Sequence, residues 1–243
     1  GLEGPLHDEL NRIISEALNS QHAPLKETMR SATVGELPLK PTGGIECSGS
    51  LALAMILNLQ SRVASRVLLQ VFHSTYKQEE DIYQVARKIA WEDWFNSDQT
   101  LRVDVTAQRS NLTSLNFVTL RIKDTICDRF REITGSRPTI ETATPDVRVM
   151  AFLDATHITL YIDTSGEPLF KRGWRDEKGA APLKENLAAG ILALTGWQPE
   201  QALFDPMCGS GTILIEAAQI AKRIAPGSIR AGILGGWIGL NQE

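Results

Sequence analysis

The spacing of apolar residues changes several times along the chain, and each change predicts an element. Leu2, Leu6, Leu10, Ile13 and Ala17 recur at helical spacing with Glu3, Asp8, Glu9 and Arg12 between them, which predicts an amphipathic N-terminal helix. Residues 24–49 hold only short apolar pieces, such as Val34 and Ile45, among Pro, Gly, Thr and Ser. That composition predicts a small sheet with a turn at Pro41-Thr42-Gly43-Gly44. A helix is expected from about Ser50, followed by a strand over 66–72. Ile82, Val85, Ala86 and Ile89 mark another helix, which ends near Trp91, Trp94 and Phe95, and these aromatics read as core packing at the helix end.

From residue 101 the pattern becomes strand, helix, strand, strand. Residues 101–105 alternate; Val118, Ile122, Ile126, Phe130 and Ile133 form one helical stripe; residues 147–152 and 158–162 alternate again around the turn Asp154-Ala155-Thr156. Residues 60–165 therefore predict one α/β unit with an antiparallel component. After the turn Ser165-Gly166-Glu167-Pro168 the order changes to a helix over 183–194, an apolar strand over 202–205, a glycine turn at Gly209-Ser210-Gly211 and a helix over 213–220. This is the opening of a doubly wound α/β domain. Such a domain needs several more strands, so only its beginning is expected here.

The composition, 42% hydrophobic and 22% charged over 243 residues, suits an ordinary globular protein. No apolar run approaches the roughly 18 residues of a membrane span, and the first residues lack the signature of a secretory signal, so a cytoplasmic protein is expected. Cys47, Cys127 and Cys208 are odd in number and far apart, which predicts reduced thiols. His7, His22, His73 and His157 share no ligand spacing, and no metal is expected. A net charge of −4 excludes indiscriminate coating of nucleic acid; any nucleic acid must bind a local patch.

The segment richest in chemistry is Asp205-Pro206-Met207-Cys208-Gly209-Ser210-Gly211-Thr212. An apolar strand ending in an acid, then small residues turning into a helix, places backbone N–H groups at the carboxyl edge of a sheet, where nucleotide-like ligands bind. A P-loop would require Lys after the second glycine, but Thr212-Ile213 follows Gly211. A dinucleotide fingerprint would require Gly at 214, where Leu214 stands. A glycine turn joining strand and helix without a ligand is the bland alternative, and Cys208 needs no role beyond a small buried side chain. Upstream, Pro182 is placed as the first residue of a helix with Leu183, Leu187, Ile191 and Leu194 as its apolar face and Gly196 as its stop.

Asp205 to Thr212 resembles motif I of class I methyltransferases in the form typical of enzymes that methylate exocyclic amines of nucleobases. Lys171-Arg172-Gly173-Trp174-Arg175 and Ala181-Pro182-Leu183-Lys184-Glu185 resemble the signature of THUMP-containing, RlmL-like 23S rRNA guanine-N2 methyltransferases. Weaker fragments, such as Gly49-Ser50-Leu51-Ala52 and Pro145-Asp146-Val147-Arg148, follow in the same order. The resemblance implies α/β and α+β domains: a ferredoxin-like domain over 1–58, a THUMP domain over 59–166 and the start of a Rossmann-like methyltransferase domain over 167–243. It implies S-adenosylmethionine as cofactor, held at Asp205, Pro206, Met207, Cys208, Gly209, Ser210, Gly211 and Thr212. Asp205 would meet its ammonium, and Pro182, Leu183, Lys184 and Glu185 would line its methionine end. Arg172 and Arg175 would face RNA phosphate or the pocket mouth.

The family's Asn/Asp-Pro-Pro-Tyr motif has no counterpart, since this sequence contains no Pro-Pro pair, and no catalytic residue is named. The expected partner is large-subunit ribosomal RNA. Its phosphates would meet the locally basic stretch of Arg109, Arg121, Lys123, Arg129, Arg131 and Arg137, where an ordinary solvated helix face is the competing reading. The functional alternatives are adenine-N6 methylation of DNA and a non-catalytic RNA-binding module.

Overall fold

The structure is a computed structural model that describes residues 1–37, 43–112, 114–175 and 182–230. Half of the expected turn at 41–44 and the apolar segment around Trp237 lie outside the described residues. In chain order the elements are α1 (Glu3–Leu18), α2 (Ala23–Thr28), β1 (Thr33–Val34), β2 (Cys47–Ser48), α3 (Leu51–Gln60), β3 (Leu68–Thr75), α4 (Glu79–Arg87) and a 3-10 turn (Trp91–Asp93). They continue with β4 (Thr100–Ala107), α5 (Leu115–Thr134), β5 (Thr139–Ile140), β6 (Val147–Leu153), β7 (His157–Asp163), α6 (Glu185–Thr195) and α7 (Thr212–Ala221). The described chain falls into two compact units, one of residues 68–166 and one in which residues 1–67 pack with residues 167–231.

The 68–166 unit is a mixed sheet in the order β3-β7-β6-β4-β5. β3, β7 and β6 pair antiparallel, and β4 runs parallel to both β6 and β5. The sequence predicts its elements in order, apart from the two-residue β5. Alternation explains the layering: Val147, Val149, Ala151 and Leu153 of β6 and Ile158, Leu160 and Ile162 of β7 are buried in one core with Val118, Ile122, Ile126 and Phe130 of α5. Each of the Val, Leu, Ile and Phe side chains in this set contributes about 1.5–3 kcal/mol of burial. Ser114 starts α5 by accepting the Phe117 N–H through its hydroxyl, and Gly135 ends it in the left-handed region at φ 78°. Ile133, expected in the α5 stripe, is 53% exposed. The whole last turn of α5, residues 131–134, is exposed, so Ile133 has no core to face. Trp91 and Phe95 are buried in the same core, as their position predicts.

In the other unit, Leu10, Ile13, Ile14 and Ala17 of α1 pack with Met29, Leu53 and Leu57, and β1 pairs antiparallel with β2. α2 has no counterpart among the sequence expectations. Glu9, expected on the polar side of α1, is buried. Its carboxylate accepts the Ser61 hydroxyl at 2.7 Å and the backbone N–H groups of Arg62 at 2.8 Å and Val63 at 3.2 Å, so it caps the chain as it leaves α3.

Helix α6 differs from expectation in start and in face. It begins at Glu185 after Lys184, so Pro182 lies before the helix and not at its first position. Its buried side is Glu185, Ala188, Ala189 and Leu192, whereas Leu187 is 40% and Leu194 64% exposed. Both sets obey helical spacing; the neighbours α1 and α7 approach the side lined by alanine and glycine. Gly196 stops the helix at φ 68°, as expected. Residues 202–205, expected as a strand, carry no strand pairing among the described residues, and Phe204 is 86% exposed. A strand exists only through its neighbours' backbone groups, and no described segment offers them to this one.

Candidate cofactor site

The Asp205–Thr212 segment forms a tight turn that opens α7. An Asp205 carboxylate oxygen accepts the Met207 N–H at 3.0 Å, and the Gly211 N–H donates to the Cys208 carbonyl at 2.7 Å. Gly209 and Gly211 lie at φ 52° and 74°, and Gly211 is the residue that caps α7. Their left-handed backbone is what requires glycine. A Cβ built on Gly209 meets no atom within 4 Å, so the protein leaves open space where a ligand would approach the turn. Cys208, expected to be buried, is exposed, as is Met207 at 89%.

The turn is fastened from upstream by Arg175. Its Nε donates to Glu185 Oε1 at 2.9 Å, Nη1 to the Ser210 hydroxyl at 3.0 Å and Nη2 to the Thr212 hydroxyl at 2.8 Å. The guanidinium also lies 4.8 Å from the centroid of the Trp174 ring. Glu185 and Thr212 are buried, and the Arg175 side chain is only 12% exposed. The expected methionine-end residues therefore separate. Glu185 is joined to the turn through Arg175; Pro182 and Lys184 are exposed, with the Lys184 ammonium 5.0 Å from the Phe170 ring centroid; Leu183 is half-buried.

Arg172 does not match its expected place. It is 3% exposed, and its Nε donates to Glu216 Oε1 at 3.2 Å while its terminal nitrogens donate to the carbonyls of Leu169 and Arg62, each at 2.7 Å. A guanidinium consumed by buried acceptors cannot meet RNA phosphate, so Arg172 is a structural residue. Arg62 reaches the other oxygen of Glu216 at 3.2 Å and bonds the Ile224 carbonyl; burial pushes its guanidinium down from the ordinary value while Glu216 pulls it up. Glu216 is fully buried between the two arginines. The sequence did carry a signal for it: a lone acid in the otherwise apolar helix Thr212-Ile213-Leu214-Ile215-Glu216-Ala217-Ala218 must find a cation.

The basic stretch of the 68–166 unit is largely neutralised within that unit. Arg121 pairs with Glu80 at 2.9 Å and lies over the rings of Tyr83 and Phe117; Lys123 pairs with Asp124 at 3.0 Å; Arg131 pairs with Asp128 at 3.2 Å. Arg129 grips Glu92 with two nitrogens and the Arg87 carbonyl with a third. Arg109 and Arg137 are exposed and make no ion pair among the described residues, and Arg109 takes a left-handed backbone at φ 62°. Among the described residues no group of three His, Cys, Asp or Glu side chains is arranged to hold a metal, and no helix is long and apolar enough to cross a membrane.

Residues 76–163 match the THUMP domain, and residues 172–241 match the RMKL-like methyltransferase domain. The chain therefore carries a THUMP domain and RMKL-like methyltransferase sequence. Among curated proteins it is similar to the ribosomal RNA large subunit methyltransferase K/L of Psychromonas ingrahamii, 42% identical over 208 residues that span 86% of this chain and 28% of that protein. The same-named protein of Pseudomonas aeruginosa is 44% identical over 182 residues, 73% of this chain and 25% of that one. The chain thus spans little more than a quarter of the length of these relatives. Among solved structures it is similar to a protein from Listeria monocytogenes described as a predicted N6-adenine-specific DNA methylase, with 29% identity, a TM-score of 0.79 and coverage of 98% of this chain and 57% of that one. A protein named SMU.472, described as a methyltransferase and solved in complex with SAH, gives 26% identity, a TM-score of 0.78 and coverage of 98% and 58%. The THUMP match lies within the 68–166 unit, and the glycine turn with its Arg175 clamp lies within the RMKL-like match.

Proposed function

We propose that the protein transfers a methyl group from S-adenosylmethionine to the exocyclic amine of a guanine in 23S ribosomal RNA, in the cytoplasm and without a metal. In this reading residues 1–58 form the N-terminal domain, 59–166 the RNA-binding THUMP domain, and 167–243 belong to the methyltransferase domain. The observation that carries it is the turn at 205–212. Two left-handed glycines open α7 beside an acid, with free space over Gly209, in a chain that also holds a THUMP domain.

The residues fit the cofactor's methionine end. Asp205 offers a carboxylate to the ammonium, and the start of α7 offers N–H groups and a favourable dipole. The bound cofactor would supply an electrophilic methyl on a sulfonium. The chain's own contribution is to hold that group still, so that the acceptor amine meets it in line. Arg109 and Arg137 are proposed to contact RNA phosphate and position the substrate, with recognition resting on RNA shape and ends more than on base sequence. No catalytic residue is assigned to this chain.

A second reading, adenine-N6 methylation of DNA, is favoured by the description of the Listeria structure. Calorimetry on the full-length protein tests the shared cofactor claim. Saturable binding of S-adenosylmethionine is expected, with loss of at least about tenfold in affinity for Asp205→Ala and for Gly209→Val, whose branched side chain cannot adopt the required φ. Methyl incorporation into rRNA and not DNA is then expected; the reverse preference would move the substrate to DNA.

A further inference from the structure

We propose that Arg62 is a positioning residue of the cofactor site: it sets the place of helix α7, and with it the glycine turn, so that residues 1–67 are part of the cofactor-binding apparatus. The inference rests on the proposed cofactor reading and assigns the group that holds one wall of that site in register. Apart from Thr212, Glu216 and Gln219, α7 is built from Ile, Leu and Ala. Apolar contacts are non-directional, so they leave the rotation and rise of such a helix loosely defined. The three polar residues follow at spacings of four and three, which places them on one stripe. Each is met by an arginine: Thr212 by Arg175 at 2.8 Å, Glu216 by Arg172 and by Arg62, each at 3.2 Å, and Gln219 by Arg62 at 3.5 Å. Hydrogen bonds are directional, and the stripe fixes what the apolar sides leave free.

Arg172 and Arg175 stand only three residues apart, whereas Arg62 comes from a distant part of the chain. Its guanidinium also donates to the Ile224 carbonyl, so one planar group holds both the second half of α7 and the segment beyond its end. The backbone that carries it is itself tied down. The Arg62 N–H donates to the buried Glu9 carboxylate at 2.8 Å, and the Arg62 carbonyl accepts Arg172 Nη2 at 2.7 Å. Neighbouring residues extend the same wall. Asn186 Nδ2 donates to the Val63 carbonyl at 3.3 Å, and the Gly227 N–H donates to the Leu59 carbonyl at 2.9 Å. A Cβ on Gly227 would lie 2.7 Å from the Asn58 carbonyl oxygen, so there the two segments meet backbone to backbone. Arg62 is only 9% exposed, and a buried ion pair adds little stability over apolar packing; one use of it is to select a single geometry. The geometry selected here is that of the helix whose first residue follows Gly211.

The test separates position from stability. Affinities of S-adenosylhomocysteine and of 5′-methylthioadenosine, which keeps the nucleoside and the sulfur but lacks the amino-acid end that would meet the glycine turn, are measured by calorimetry. The full-length protein is used, well below the melting transition of each variant. In Arg62→Gln, Glu216 keeps Arg172 as its cation. This variant is expected to bind S-adenosylhomocysteine about tenfold or more weakly, with 5′-methylthioadenosine held within about twofold of wild type. Arg62→Lys, which returns a cation without the planar fork, is expected to recover part of the loss, and it carries the comparison by itself if the glutamine variant does not fold. Ile13→Ala opens a cavity in the α1 core and destabilises the same unit; it is expected to leave both affinities within about twofold. Unchanged S-adenosylhomocysteine affinity in the Arg62 variants, equal weakening of both ligands, or the same selective loss in Ile13→Ala would reduce Arg62 to a structural residue and overturn the assignment, while leaving the cofactor reading intact. Failure of wild-type protein to bind either ligand would sink both.

Discussion

At the scale of single residues, the charges that matter most in the unit of residues 1–67 and 167–231 are buried ones. Glu216 lies fully enclosed between Arg62 and Arg172, whose side chains are 11% and 2% exposed. Replacing it with Gln leaves two desolvated guanidinium groups facing a neutral amide. A loss of about 3–5 kcal/mol is expected in urea unfolding of this chain, and a change below about 1 kcal/mol would show that the cluster tolerates an unpaired cation. The sequence announced part of this, since an acid inside an apolar helix demands a partner. It could not say which partner, because Arg62 and Glu216 stand far apart in the chain. The same limit explains Arg172 and Arg175. They are alike in sequence, separated only by Gly173 and Trp174, yet one closes an internal charge cluster and the other reaches the hydroxyls of the glycine turn.

At the scale of elements, helix α5 shows how pattern and neighbours divide the work. Its buried stripe, Val118, Ile122, Ile126 and Phe130, is legible from spacing alone, whereas its boundaries at Ser114 and Gly135 come from the structure. Its cations are another matter. Arg129 cross-braces α5 to the 3-10 turn through Glu92, and its hydrogen bonds hold the Glu92 carboxyl below the usual carboxylate range. A carboxyl whose folded pKa is depressed stabilises the fold above its unfolded pKa of about 4.3, and that contribution disappears as pH falls through the folded value. Wild-type protein is therefore expected to lose its advantage over Glu92→Gln as pH is lowered from about 5 to about 3, by a modest amount because the pair is partly solvated. Melting both proteins across that range checks it; a constant difference would mean that the brace is not electrostatic. Helix α6 makes the converse point. Leu187 and Leu194 and the set Ala188, Ala189 and Leu192 both satisfy helical periodicity, and only the closeness of α1 and α7 selects the small residues as the packed side.

At the scale of the whole molecule, a net charge of −4 and a basic stretch already paired with acids leave few cations free for nucleic acid. If the proposed RNA function holds, affinity for rRNA fragments should fall only gently with salt. Arg109→Ala and Arg137→Ala should each reduce the slope of log K against log salt by about one phosphate's worth, read by filter binding at several ionic strengths. Unchanged slopes in both variants would place the RNA contacts elsewhere. The sequence by itself determined the order of elements in the sheet unit, the stripes that form its core and the glycine turn with its acid, because these depend on periodicity and on backbone conformations that neighbouring residues dictate. Only the tertiary structure decided that residues 1–67 pack with residues 167–231, that Glu9 and Glu216 are interior groups, that residues 202–205 lack strand partners among the described residues, and which arginine reaches the glycine turn. Those are matters of which distant segments meet. A buried charge or an unpaired strand is defined by what stands opposite it in space, and local sequence holds no record of that.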